Sequence, residues 1–172
     1  MNSRWKPSVT VAAIVERDGK FLLVEEHTRD GLRLNNPAGH LDPGESLVQA
    51  CAREALEETT FSFAPSALVG VYMSRFEQSA SGASEPLDIT YLRFAFCGVL
   101  GAQVAGRVLD EGIVRTLWLS AEEIRDCVPL HRSPLLLTCI DDYLAGKRYP
   151  LDLITTDASV MLLNKEQAAQ VS

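Results

Sequence analysis

The chain has 172 residues and nowhere a run of about 18 consecutive apolar ones, the least a membrane-spanning helix needs, so no transmembrane segment is expected. Positive charge is scarce. Lys and Arg number 16 against 23 Asp and Glu, a formal net charge of −7, which argues against a general nucleic-acid coat protein and disfavours RNA as a partner. Four cysteines, Cys51, Cys97, Cys127 and Cys139, form no C-x-x-C pair, and no histidine stands at zinc spacing. A zinc ribbon and a dithiol redox motif are thereby excluded, and the cysteines read as free, buried thiols in a reducing compartment. Arg4 and Lys6 before the stretch Val9-Thr10-Val11-Ala12-Ala13-Ile14-Val15 have the flavour of a leader peptide, but Thr10 interrupts the stretch and Glu16-Arg17-Asp18 ends it. It reads as a β-strand, and the expected location is the cytoplasm.

What remains is an ordinary globular composition, 47% hydrophobic and 23% charged. At this length a domain buries roughly 70% of its unfolded surface, so a core forms without metal or disulfide staples. One domain over residues 1–172 is expected, with its core at about 7–154 and a loosely held polar tail at 158–172. There is no internal repeat and no interdomain linker.

Asp18-Gly19, between residues 9–15 and Phe21-Leu22-Leu23-Val24, predicts an opening β-hairpin. Residues 28–44, rich in Gly, Asn, Asp and Pro, predict a long loop. Ser46-Leu47-Val48-Gln49 has the form of a capping box, and strong helix formers run on to Glu58. Strands are expected at 68–73, 89–99 and 114–119, with a flexible tip at 79–84. Short helices are expected after Ser120 and from Ser133-Pro134 to about Ala145.

The helix after Ser46 carries a conflict between pattern and chemistry. At 100° per residue, Leu47, Ala50, Cys51, Glu54 and Glu58 share one stripe, with Glu57 at its edge. Carboxylates placed where a core residue belongs repel one another unless a cation neutralises them. Glu54, Glu57 and Glu58, at i, i+3, i+4 spacing, offer hard oxygen donors suited to Mg²⁺ or Mn²⁺. The alternative is a solvated acidic helix end, with Arg53 and Glu57 as an exposed i,i+4 pair.

Gly39, Glu45, Arg53-Glu54 and Glu57-Glu58 stand as G-x5-E-x7-R-E-x-x-E-E, which resembles the signature box of the Nudix hydrolases. Two positions depart from the family pattern: Ala55 replaces a bulky aliphatic, and Thr60 replaces a glycine that would ease a left-handed turn. Outside the box, Pro37-Ala38-Gly39-His40-Leu41, Trp118-Leu119-Ser120-Ala121, Arg132-Ser133-Pro134-Leu135 and Arg148-Tyr149-Pro150-Leu151 are similar to the NudJ-type bacterial phosphatases of that family. The likeness spans about residues 7–154. It implies an α/β Nudix fold, a mixed β-sheet sandwiched between helices as an α/β/α arrangement. It also implies Mg²⁺-dependent removal of phosphate from nucleoside di- and triphosphates or from thiamine-pathway pyrophosphates such as hydroxymethylpyrimidine diphosphate.

Carried over by residue, the resemblance assigns Glu54, Glu57, Glu58 and the Gly39 carbonyl to the metal, and pairs Glu45 with Arg53 across loop and helix. The expected chemistry is attack of water on phosphorus, with Glu54 or Glu111, in the turn Asp110-Glu111-Gly112, accepting the proton. Arg33 and Arg93 are candidates to clamp phosphate, and Tyr72, Phe94 or Phe96 to flank a ring. His40 either touches phosphate or fixes the loop. Rival readings are another Nudix branch, such as a nucleotide or RNA 5′-end pyrophosphohydrolase, and a catalytically silent nucleotide-binding regulator. The expected partner is a small phosphoanhydride, with no membrane association, and the assembly a monomer or weak homodimer.

Overall fold

A computed structural model describes residues 4–78 and 87–162. The strands are β1 (Ser8–Ile14), β2 (Glu16–Arg17), β3 (Lys20–Thr28), β4 (Gly31–Asn35), β5 (Ala38–His40), β6 (Phe61–Gln78), β7 (Leu87–Gln103) and β8 (Ile113–Ser120). The helices are α1 (Leu47–Thr59), α2 (Ala121–Asp126) and α3 (Leu135–Leu144), with short 3₁₀ turns at Val128–Leu130, Leu151–Leu153 and Ala158–Met161. The expected tip at 79–84 and the end of the expected tail, 163–172, lie outside the described residues.

The strands form two sheets. One runs β5-β1-β7-β6 and is mixed, because β1 lies parallel to β7 and antiparallel to β5. The other is antiparallel, β2-β3-β4 with β8 on the free side of β3. Val11, Ala13 and Phe96 of the first sheet and Leu22 of the second pack with Ala50, Cys51 and Ala55 of α1. The alternate residues Ala12, Ile14, Ala95, Phe21 and Leu23 pack instead with Leu136, Cys139 and Ile140 of α3. Period-two alternation thus buries both faces, which is why residues 11–15 and 21–24 read as unbroken apolar runs. The result is the expected α/β/α sandwich of a mixed β-sheet between helices.

Two local expectations are corrected. The turn at Asp18 (φ 53°) and Gly19 (φ 75°) closes a hairpin only between β2 and β3, while β1 leaves to pair with β5 and β7. Parallel pairing with a strand some 80 residues away leaves no local trace in the sequence. The loop expected at 28–44 contains β4 and β5, whose Gly, Asn and Pro content masked them. Residues 29–30, 36–37 and 41–46 are what remains of that loop outside strand or helix before α1.

Candidate active site

The capping box forms as the sequence predicts. Ser46 Oγ accepts from the Gln49 amide at 3.2 Å, and Gln49 Oε1 accepts from the Ser46 amide at 2.9 Å. Anchored there, α1 packs Ala50, Cys51 and Ala55 inward, which turns Glu54 and Glu58 toward β5 rather than water. Glu58 Oε2 accepts from the Ala38 amide at 2.8 Å. Glu54 lies against Gly39 so closely that a Cβ on Gly39 would overlap its carboxyl group. Only glycine fits under that carboxylate.

Arg53 organises the cluster. Its Nε and Nη2 donate to the two Glu45 oxygens at 3.0 and 2.7 Å, and Nη2 also reaches the His40 carbonyl at 2.9 Å. Nη1 donates to Glu54 at 2.8 Å and Glu57 at 2.9 Å. These carboxylates, Glu45 above all, raise the pKa of Arg53 despite its partial burial. Burial alone would push the Glu45 carboxyl up, but bonds from Arg53 and the Asp42 amide outweigh it and hold Glu45 low. The Glu45–Arg53 pairing is therefore present across loop and helix, and the side chain belongs to the site rather than to an open surface.

Glu54 and Glu58 are less well compensated. Burial raises Glu54 above the usual carboxylate range, opposed by Arg53 and reinforced by Glu57 and Asp42. Burial pushes Glu58 up to about 8 against the Ala38 bond, with Glu54, Glu26 and Asp110 adding repulsion. Among the described residues no three His, Cys, Asp or Glu side chains already converge on one point, and Arg53 Nη1 bonds to both Glu54 and Glu57. The donor set still fits a hard divalent cation: two partly buried carboxylates, both raised by burial, with a third beside them at the helix edge. Glu54, Glu57 and Glu58 would hold such a cation, with Arg53, anchored on Glu45 through Nε and Nη2, beside them.

The segment 104–110 closes the other side of this acidic end. Its ends are fixed to α1 by the Val104 amide on the Thr60 carbonyl at 2.9 Å and the Asp110 amide on the Glu57 carbonyl at 3.0 Å. With Glu57 it bounds an open recess of about 510 Å³. Arg107 Nη2 lies 3.6 Å from Glu57 Oε1 on its wall, a cation that sequence reading missed because nothing local ties residue 107 to α1. In the turn at 110–112 it is Asp110 whose charge reaches Glu58; Glu111 is exposed and bonds to no side chain among the described residues.

The remaining candidates separate. Arg93 is 8% exposed and sits among Cys139, Glu26 and Glu58. Tyr72 follows it in the cross-strand register, but its hydroxyl donates to Asp142 of α3 at 3.0 Å. His40 is exposed, with its ring 6.3 Å from that of Tyr91. Arg33 pairs in register with Glu26, and among the described residues its side chain bonds only to the Leu32 carbonyl. Phe96 is core against α1, and Phe94 packs beside it.

The model of the NUDIX domain matches residues 4–138 of the chain. The chain belongs to the Nudix family. Phosphatase NudJ of Escherichia coli strain K12 is 41% identical over 150 residues, covering 87% of this chain and 92% of that protein, and that of Shigella flexneri is equally similar. A solved NUDIX hydrolase from Nitrosomonas europaea is 51% identical, with a TM-score of 0.78 over 88% of this chain and 98% of that one. The MutT protein from Methanosarcina mazei Go1 is 25% identical, with a TM-score of 0.62 over 85% of this chain and 100% of its own. This Nudix chain is accordingly a hydrolase acting on phosphoanhydride bonds, in a family that generally uses divalent metals. None of its helices is long and apolar enough to cross a membrane, among the described residues.

Proposed function

We propose that this Nudix hydrolase removes phosphate from nucleoside di- and triphosphates or from thiamine-pathway pyrophosphates such as hydroxymethylpyrimidine diphosphate, with Mg²⁺ as its cation. The observation that carries the metal reading is the burial of Glu54 and Glu58 together, which with the carboxylates around it pushes Glu58 up to about 8. Glu54, Glu57, Glu58 and the Gly39 carbonyl would hold the ion, Mn²⁺ serving as a substitute. Bound there, it supplies electrophilic polarisation of the phosphoryl group and of the attacking water.

The chain's own residues do the rest. Glu45 fixes Arg53, and Arg53 orients Glu54 and Glu57 on one side of α1. Glu54, raised by burial, accepts the proton of the attacking water at its carboxylate. The NudJ likeness supports a small phosphate-bearing substrate, and the net charge of −7 disfavours an RNA chain.

The test is release of phosphate and pyrophosphate, with and without Mg²⁺, across nucleoside di- and triphosphates, thiamine diphosphate, hydroxymethylpyrimidine diphosphate, dinucleoside polyphosphates and 5′-triphosphate RNA. Ranking by kcat/KM discriminates among them. Mg²⁺-dependent orthophosphate release from the small di- and triphosphates is expected. Pyrophosphate release, or preference for RNA, would move the chain to another Nudix branch.

A further inference from the structure

Arg93 is the only arginine buried below a tenth of its surface among the described residues, and its Nε and Nη1 have no hydrogen-bond partner. It forms no ion pair there. Beside it, in the parallel register of β1 and β7, stands Thr10, 6% exposed, whose hydroxyl is also buried without a partner. Register partners present their side chains on the same face, so both unmet groups lie on one side of the sheet. Removing a guanidinium from water with only the Cys139 thiol in bonding reach and no ion pair is among the costlier things a fold does, and native structures keep such a group where something else supplies the acceptor.

The surroundings say what that acceptor is. Glu26 of β3, Glu58 of α1 and Cys139 of α3 all act on the Arg93 charge, so the guanidinium lies within electrostatic reach of the acidic end of α1. Tyr72, next in the row, is already committed to Asp142, and burial pushes the Cys139 thiol up to about 11, so neither offers an anion. A ligand there must bring its own negative oxygens. Because Glu58 belongs to the proposed cation site, those oxygens belong to the phosphate chain rather than to a ring further out.

We infer that Arg93 and Thr10 form an oxyanion subsite that takes phosphoryl oxygens of the substrate directly from the protein, on the side of the phosphate chain away from the cation. This rests on the proposed function and adds to it a specificity for substrates with a free, multiply charged phosphate chain. A guanidinium and a hydroxyl suit a tetrahedral oxyanion, and neither discriminates one base from another.

The experiment compares wild type with Arg93→Met and Thr10→Val in three measurements. Mn²⁺ affinity is read by electron paramagnetic resonance, affinity for non-hydrolysable imidodiphosphate in Mg²⁺ by calorimetry, and Tm by circular dichroism. Arg93→Met is expected to keep Mn²⁺ binding and to hold or raise Tm, since it removes a buried, unpaired charge, while weakening imidodiphosphate by about 10- to 100-fold. Thr10→Val, nearly isosteric, should weaken it several-fold and carries the test should Arg93→Met fail to fold. Wild-type imidodiphosphate affinity in either folded variant would overturn the subsite. A wild type that binds no Mn²⁺ would instead overturn the cation reading, and the same contrast would then be measured in EDTA.

Discussion

The carboxyl group of Glu54 rests on the α-carbon of Gly39, with no room between them for a methyl group. Helix α1 and strand β5 are thereby held at contact distance where the acidic stripe emerges. Gly39→Ala should leave the fold intact by circular dichroism but displace Glu54. A drop of tenfold or more in both Mn²⁺ affinity and turnover is expected, and unchanged Mn²⁺ affinity would show that Glu54 does not need this position.

Glu57 shares Arg53 Nη1 with Glu54 and faces the recess at 104–110. Glu57→Gln keeps the volume and removes the charge. Nearly all divalent-dependent turnover should disappear with Tm within a few degrees of wild type. Wild-type turnover in this variant would sink the metal assignment.

Metal-free protein should grow less stable as pH rises. Glu58 is raised to about 8 in the folded chain from an ordinary value of 4.5, so between these values the native state holds a proton that the unfolded chain has lost. Its stabilising contribution is complete below about pH 4.5 and is lost as pH climbs through 8. Thermal melts in EDTA from pH 5 to 8.5 should show a falling Tm that Glu58→Gln flattens. Saturating Mg²⁺ should flatten it as well, because a bound cation favours the ionised carboxylate. An identical slope in Glu58→Gln would remove Glu58 as the source.

Arg53→Lys tests whether charge alone suffices. The guanidinium serves Glu45 twice, Glu54, Glu57 and the His40 carbonyl at once, and a single ammonium cannot span them. A loss of about 1–3 kcal/mol in stability by denaturant titration is expected, together with a fall in kcat larger than any change in KM. Equal kcat would mean that Arg53 does not position the carboxylates.

Thr60 takes φ 65°, ψ 1° at the end of α1, a left-handed conformation that disfavours a β-branched residue. Its amide still donates to Leu56, and Gln103 Nε2 donates to its hydroxyl at 3.0 Å, which offsets part of the strain. Asn tolerates this region and keeps a side-chain acceptor. Thr60→Asn should therefore stabilise by about 0.5–1 kcal/mol, read as a rise of a few degrees in Tm. A fall would show that the Gln103 contact outweighs the backbone cost.

The sequence by itself determined the acidic stripe of α1, its capping box and the box spacing from Gly39 to Glu58, because helical phase and capping are local properties that survive without a partner. It also exposed the departure at Thr60, although whether the chain would change its cap or accept the strain was open; the backbone takes the left-handed turn and Gln103 supports it. Tertiary structure decided what distant segments bring to that stripe. The parallel pairing of β1 with β7 sets Thr10 beside Arg93, and the docking of residues 104–110 on α1 brings Arg107 and Asp110, rather than Glu111, to the carboxylates. Arg33 and Tyr72 read as equal to Arg93 in the sequence, yet one bonds to its neighbour's carbonyl and the other to α3. Burial and the lack of an ion pair among the described residues single out Arg93, and both depend on what other strands and helices place around a side chain, which no local pattern encodes.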